Sequence, residues 1–487
     1  MGCQRAGRDP GVPLRRSHGG RHSQHCAGRS LGDQSGQGHV PGRHGALPRP
    51  DVRPGGGRDR RARKRTPDRA GRPPAWPGAH QAHSVRRRTT RGGAATMTAL
   101  IETEAIVIGG GIVGASAALA LARKGKSVVL LERDFCGSHS SGVNYGGVRR
   151  QGRPLSQLPL SQRAHQIWGN LRELIGIDGE YQRSGHLKLA RSEQDMNALQ
   201  AYAEASREFG LNLQLLDRKQ LRARYPWAGD VAVGASLCAD DGHANPRLVS
   251  PAFARAARQA GAQVFEQAAV SDVSHDGQAF TVRTNSGLTL RAPWLLNCAG
   301  AWAGQLAAQF NEPVPMYSGH PAMLVTEPLP MFMDVSTGVE GGGIYARQVA
   351  RGNCVLGGGQ GFALDPARAR PGQAALLDIL RNAAELYPPL AGAQAIRTWS
   401  GTEGYLPDRE PVLGPSLTRP GLLHGFGFAG AGFQIGPAAG EALAEWVCAG
   451  SSSISLDAFS IGRFQLSPVQ LAPVTNVIPL HRGRSPL

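Results

Sequence analysis

Lysine is almost missing from this chain. Among 487 residues only Lys64, Lys124, Lys126, Lys188 and Lys219 carry an ammonium, so nearly all of the 54 basic side chains are arginine. Cysteine is sparse too. The seven cysteines, at 3, 26, 136, 238, 298, 354 and 448, are odd in number and include no CxxC pair. That argues against a disulfide framework or a zinc site and points to a reducing cytoplasm, so no metal is expected. Neither Met1 nor Met97 is followed by the basic patch and apolar run of a secretory signal. The uncharged stretch at residues 105–122 has the length of a membrane span but bunches Gly109, Gly110, Gly111 and Gly114 at one end. No integral membrane segment is expected.

The first 96 residues lack Ile, Phe, Tyr, Asn and Glu altogether, against 18 Gly and 10 Pro. So little apolar side chain cannot offset the entropy of ordering a backbone, and disorder is expected there. This segment also holds 20 Arg and one Lys against five Asp, which accounts for most of the formal +18 charge of the whole chain. The other 391 residues carry 33 basic and 31 acidic side chains. The missing residue types are mostly those of A/T-rich codons, as a wrongly extended start in GC-rich DNA would give, with Met97 as the initiator. A basic nucleic-acid arm on a non-enzymatic scaffold, or an Arg-rich transit segment, is the alternative. Nothing after residue 96 supports a nucleic-acid partner.

From Glu104 the pattern sharpens. Ala105-Ile106-Val107-Ile108 is a short β-branched run, followed by Gly109-Gly110-Gly111-Ile112-Val113-Gly114, an Ala/Leu-rich helix over 116–124 and a second strand ending in Glu132. This is the strand, GxGxxG, helix, strand and acid of a dinucleotide site. Gly109 permits the tight turn, Gly111 the approach of a pyrophosphate, and Gly114 close packing of helix on strand. The helix N-terminus offers free N–H groups to phosphates, and Glu132 is placed for ribose hydroxyls. These residues alone leave NAD and FAD open.

Other segments narrow the choice. Ser140-Ser141-Gly142 with Gly147-Val148-Arg149-Arg150-Gln151-Gly152-Arg153, Asn297-Cys298-Ala299-Gly300-Ala301-Trp302, Arg397-Thr398-Trp399-Ser400-Gly401, and Gly425 through Gln434 recur as a set. On these residues the chain from about 100 to 450 resembles the D-amino-acid oxidase-like (glycine/sarcosine oxidase) family of FAD-dependent amine oxidoreductases. Its 140–153 loop is most similar to β subunits of opine-, hydroxyproline- or sarcosine-type dehydrogenases. An NAD-dependent enzyme would leave 297–303 and 425–436 unexplained.

The resemblance implies an α/β fold. A doubly wound, Rossmann-like FAD domain (97–155, 241–310, 396–464) is interrupted by an α+β substrate domain (156–240, 311–395), with a Pro-rich tail from Gln465. Helices are predicted over 159–176, 193–210, 217–225 and 247–261, and strand-like runs over 185–189, 262–266, 290–297 and 344–357. The glycines at 427, 430, 432 and 436 are read as a turn before a helix over 438–447. The FAD-binding residues implied are Gly109, Gly111, Gly114, Glu132, Ser140, Ser141, Val270, Ala299, Gly300, Trp302, Gly427, Gly430, Gly432, Phe433 and Gln434.

The resemblance also implies the chemistry. An amine gives up its Cα–H as hydride to flavin N5, and the substrate carboxylate needs a cationic or hydroxyl clamp. Arg149, Arg150 and Arg153 are implied near the flavin, and Tyr345 is the expected hydroxyl partner. Both familiar carboxylate anchors are missing, because Ala431 and Gln434 replace a histidine and a lysine, and Thr402-Glu403-Gly404 replaces an arginine. Glu403 offers a carboxylate to a cationic group, or pairs with an arginine such as Arg409. His139 and Cys136 are considered for covalent flavin attachment, although packing is the plainer role. The substrate is thus an amino or imino acid: a secondary amine, opine, hydroxyproline, sarcosine or D-amino acid. No lysine follows residue 219, so 353–357, where an oxygen-activating lysine would align, has none to offer. A dehydrogenase is therefore expected, passing electrons to a quinone, a partner subunit or an iron–sulfur protein, with an O2-using oxidase as the alternative.

Overall fold

A run of four fully buried β-branched or leucine residues has no solvent face, so it must lie inside a sheet covered on both sides. In the computed structural model, which describes residues 100–464, strands Ala105–Ile108 and Val128–Leu131 are buried at every position and sit side by side in a six-stranded sheet. The order is Val412–Pro415, Leu422–Phe426, Trp294–Asn297, Ala105–Ile108, Val128–Leu131 and Gln263–Phe265. All neighbours run parallel except the edge pair Val412–Pro415 and Leu422–Phe426. Helices Ile112–Arg123, Pro246–Gln259 and Gly432–Ala449 pack on one face. The other face is covered by strands Val270–His275, Phe280–Thr284 and Thr289–Ala292, whose Phe280, Val282 and Leu290 meet Ile106, Val129 and Leu295. The extension at 1–96 and the tail from Gln465 lie outside the described residues.

A second sheet of eight strands draws on 186–238 and 321–400, and one row of cross-strand partners runs Trp399, Met323, Gly357, Tyr345, Gly338, Lys188, Ser236. Directly opposed residues share a sheet face, so this row presents Tyr345 and Lys188 on the same side. The other side carries Leu187, Leu324 and Leu356 onto helix Gln373–Leu386, through Ile379 and Leu386.

Four expectations are corrected. The run 290–297 is two strands in different sheets, because Pro293, which has no N–H for a ladder, separates Thr289–Ala292 from Trp294–Asn297. Residues 344–357 form a hairpin, Tyr345–Gln348 with Asn353–Gln360. The last helix starts at Gly432 instead of 438, and Gly436 lies inside it, where a Cβ would come within 2.7 Å of Ile112 Cγ2. Glycine there serves a close helix–helix approach. Strand Ala395–Ser400 spans the expected boundary at 395/396 and belongs to the eight-stranded sheet.

Candidate cofactor and substrate site

The glycine loop is shaped by contacts that only glycine tolerates. Gly109 has φ +107°, and a Cβ there would lie 2.2 Å from the Cys298 carbonyl oxygen. At Gly114 a Cβ would lie 2.1 Å from the Gly109 carbonyl oxygen, so this residue acts behind the loop and not on the cavity wall. Gly111 precedes helix Ile112–Arg123, and a Cβ there would meet only Ser141 Oγ, at 3.1 Å, before open space. Ile112 N–H donates to Ser141 Oγ at 3.0 Å. Glu132 is buried and accepts from Gly110 N–H at 2.7 Å and Asp134 N–H at 2.9 Å. Its carboxylate thus holds the loop while still lining the cavity.

On the facing strand, Asn297 Nδ2 donates to the Ala303 carbonyl at 2.9 Å, fixing the turn that brings Ala299, Gly300 and Trp302 to the cavity. The Arg133 guanidinium lies 3.4 Å from the Trp302 ring centre, and Val270 lines the same end. His139 lines the wall and is tied to Asp134 Oδ2 at 2.7 Å. Ligand atoms of Glu132, Asp134 and His139 lie within 4.8 Å of one another, a convergence absent from the sequence reading, though each atom set is engaged by the neighbours just named. Cys136 lies beneath Gly110, off the cavity wall, and burial pushes its thiol up, so it is no reactive thiolate.

The cavity, about 850 Å³, runs from this loop to the eight-stranded sheet. Gly427, Gly430, Gly432 and Phe433 line it at the start of helix Gly432–Ala449. Gln434 does not. Because the helix begins early, its side chain turns to helix Leu158–Gly169, accepting from Ser161 Oγ at 2.7 Å and donating to the Ser161 carbonyl at 3.0 Å. Ser140 and Ser141 line the wall, and Ser140 Oγ donates to the Thr402 carbonyl. Trp399 Nε1 donates to the Val143 carbonyl at 2.7 Å, pinning this segment to the second sheet.

The sheet end of the cavity carries the substrate candidates. Tyr345 lies across Gly357, where a Cβ would come within 2.2 Å of the ring, and burial pushes its hydroxyl pKa up. Tyr145, which sequence reasoning missed, packs edge-on to it at 4.8 Å, and its buried hydroxyl has no partner. Glu403 lines the wall and accepts from the Tyr405 hydroxyl at 2.9 Å. Burial pushes its carboxyl above the usual range, only partly countered by that bond. The expected pairing with Arg409 is not formed: Arg409, at φ +61°, lines the cavity separately. Arg149 and Arg153 line the wall, whereas Arg150 points away and is held by Asp241 at 3.0 Å and Gln162 at 2.9 Å. Lys188 also lines the wall, paired with Glu340. Although no lysine follows residue 219, the fold brings Lys188 to the cavity on strand His186–Ala190.

The residues fit FAD. A glycine loop open where Gly111 would carry a Cβ, a helix start whose N-cap is that glycine, and a cavity near the upper end of the usual range of roughly 300–1,000 Å³ are what a large dinucleotide requires. Residues 104–446 match the model of the DAO family, described as FAD dependent oxidoreductase. The chain belongs to this family. It is 27% identical over 367 residues to glycine oxidase of Geobacillus kaustophilus, covering 73% of this chain and 96% of that one. It is 27% identical over 379 residues to 4-methylaminobutanoate oxidase (formaldehyde-forming) of Paenarthrobacter nicotinovorans, covering 74% of this chain. It spans only 45% of that relative's length. The crystal structure of L-proline dehydrogenase from P. horikoshii superposes with a TM-score of 0.70 at 25% identity, covering 75% of this chain and 99% of that one. FAD is the cofactor of the family.

Proposed function

We propose that the chain oxidises the CH–NH bond of an amino or imino acid in the cavity between the glycine loop and the eight-stranded sheet. One observation carries the reading: a single cavity joins Gly109 and Gly111 at one end to Arg149, Arg153, Tyr345 and Glu403 at the other. Relatives named for glycine, a methylaminobutanoate and proline agree with it. When bound, FAD supplies a two-electron acceptor for the hydride of the carbon beside the amine nitrogen. In this reading Gly109, Gly111, Glu132, Ser140 and Ser141 hold the nucleotide, Gly114 supports the loop from behind, and Val270, Ala299, Gly300, Trp302, Gly427, Gly430, Gly432 and Phe433 lie around the rest. Arg149 and Arg153 seat carboxylate, Glu403 takes the proton of an incoming ammonium, and Tyr345 orients the nitrogen. The oxidised carbon–nitrogen bond is then hydrolysed by water to an oxo product and an amine.

The FAD domain is assigned to 97–155, 241–310 and about 401–464, with the substrate domain between. Electrons are assigned to a quinone, a partner subunit or an iron–sulfur protein, because Tyr345 occupies the space over Gly357 in the segment where a lysine would be needed. One observation favours a second reading, reaction with O2: Lys188 lines the cavity, although Glu340 compensates its charge. The described cysteines are all unpaired, which suits a reducing compartment such as the cytoplasm, and no helix among the described residues is long and apolar enough to cross a membrane. A dye-reduction screen over D-amino acids, N-methyl amino acids, hydroxyprolines and opines tests the reading. Turnover of at least one class is expected, and failure of all would overturn it.

A further inference from the structure

A second cavity, of about 310 Å³, shares no lining residue with the first. It follows the seam between helices Ile112–Arg123 and Gly432–Ala449. These run side by side in one direction, since Gly436 meets Ile112 and Gly440 meets Ser116, whose Cβ would lie 2.6 Å from one added at Gly440. Helix Leu158–Gly169 adds Ile167 to the wall, and helix Pro246–Gln259 adds Phe253. With Leu119 and Pro437 these buried side chains give the cavity an apolar middle. At one end Ser116 is only 4% exposed, and its hydroxyl has no hydrogen-bond partner. At the other end stand Arg123 and Lys124, neither with a carboxylate within 4.0 Å among the described residues.

The two acids on this wall are already engaged. Glu441 pairs with Arg163 at 2.8 Å, and Glu445 accepts from Ser453 N–H at 2.8 Å and Ser452 Oγ at 3.2 Å. The charge left over is positive, so the rim favours an anion. A carboxylate suits it, because arginine meets a carboxylate with two parallel hydrogen bonds and lysine adds a point charge. Ser116 and Arg123 are seven residues apart on one helix face, two turns or about 10 Å along the axis. A ligand that fits this order has an anion at one end, an apolar body and a polar atom at the other. A ring fills the apolar middle with few rotors to order, and a phenol hydroxyl can donate to or accept from Ser116.

We infer that this cleft is a second ligand site, and that it takes a hydroxyaryl carboxylic acid with its hydroxyl on Ser116 and its carboxylate on Arg123 and Lys124. Three ligands of one size test it. They are para-hydroxyphenylpropionate, phenylpropionate, which lacks the hydroxyl, and para-hydroxyphenylpropionamide, which lacks the charge. Titrated by calorimetry into the FAD-loaded protein, the hydroxy acid is expected to bind about fivefold tighter than phenylpropionate and about 20-fold tighter than the amide. S116A is expected to bring the two acids within about twofold of each other, and R123Q/K124Q to bring the hydroxy acid and its amide within about threefold. None of these three residues lines the first cavity, so FAD content should match the parent's, and a carboxylate bound there instead would keep its affinity in both variants. No heat of binding at millimolar ligand, equal affinity for all three in the parent, or affinities unchanged by the variants would overturn the inference. Dependence on Arg123 and Lys124 without dependence on Ser116 would overturn the hydroxyaryl class.

Discussion

Glu403 is the titratable group whose ionisation the proposed chemistry needs most. Burial holds its carboxyl above the ordinary value of about 4.3, so the anion that accepts a proton is lost as pH falls through that raised value. Flavin reduction is therefore expected to show an acid limb above the usual carboxylate range. In E403Q the limb should vanish and the rate fall by about 100-fold, measured as reduction rate against pH. The stability effect has the opposite sense: an acid with a raised folded pKa favours the fold below its unfolded pKa and loses that contribution as pH rises. E403Q should thus unfold no more easily than the parent at pH about 8. A limb unchanged in E403Q would assign the proton to another group. Tyr345 gives a second residue-scale prediction. G357A places a Cβ where the ring now lies and should displace it, lowering turnover by about 10- to 100-fold with FAD content unchanged. At this scale the sequence was partly legible. Arg149 and Arg153 stood in a recognisable loop, but Arg150 beside them could not be told apart before Asp241 was seen to claim it. Lys188 was invisible as a site residue, because only the pairing of strands His186–Ala190 and Ser336–Val339 puts it in the Tyr345 row.

Among elements, the turn from strand Ala105–Ile108 into helix Ile112–Arg123 is the one to which the proposed reading assigns the cofactor's phosphates. G111V would put two methyls into the open space at the helix start, and FAD retention is expected to drop to a small fraction of the parent's while the chain still folds. Visible absorbance per mole of purified protein measures it, and full occupancy would mean that the phosphates lie elsewhere. Strand Leu422–Phe426 is anchored differently: His424 Nε2 and Glu312 Oε2 lie 3.0 Å apart, both fully buried, and Glu312 also accepts from Leu417 N–H at 2.7 Å. Burial pushes Glu312 up, but its bonds to His424, Ser416 and Leu417 outweigh this and hold it below the ordinary range. Its stabilisation is therefore present above the unfolded pKa and lost as pH falls through the folded one. E312Q should cost about 3 kcal/mol near neutral pH and less in acid, read from denaturant unfolding at the two pH values. Strands Ala105–Ile108 and Val128–Leu131 were legible because each is a short, wholly buried apolar run. The hairpin within 344–357 and the break at Pro293 were not, since a continuous apolar run does not say which sheet each half joins. The early start of helix Gly432–Ala449 was hidden by glycines that look like a turn but serve its contact with Ile112–Arg123.

For the molecule as a whole, the sequence made FAD, the α/β architecture and the family legible, because motifs spread over 104–446 recur together. The substrate was not legible, because the charged groups lining the cavity meet only in the fold: Arg149 and Arg153 from one loop, Lys188 from a strand, Glu403 from a segment far along the chain. In the proposed function a carboxylated amine reduces FAD here and the electrons then leave by a route other than O2. Sequential-mixing stopped-flow tests both halves in one trace. The oxidised protein is mixed anaerobically with an N-carboxyalkyl amino acid and then with air-saturated buffer, while the visible flavin band is followed. The expected trace is fast bleaching on the first mix and a return, on the second, much slower than turnover with an artificial dye. No bleaching with any carboxylated amine would contradict the amine reading, and reoxidation as fast as turnover, with stoichiometric peroxide, would contradict the assignment as a dehydrogenase.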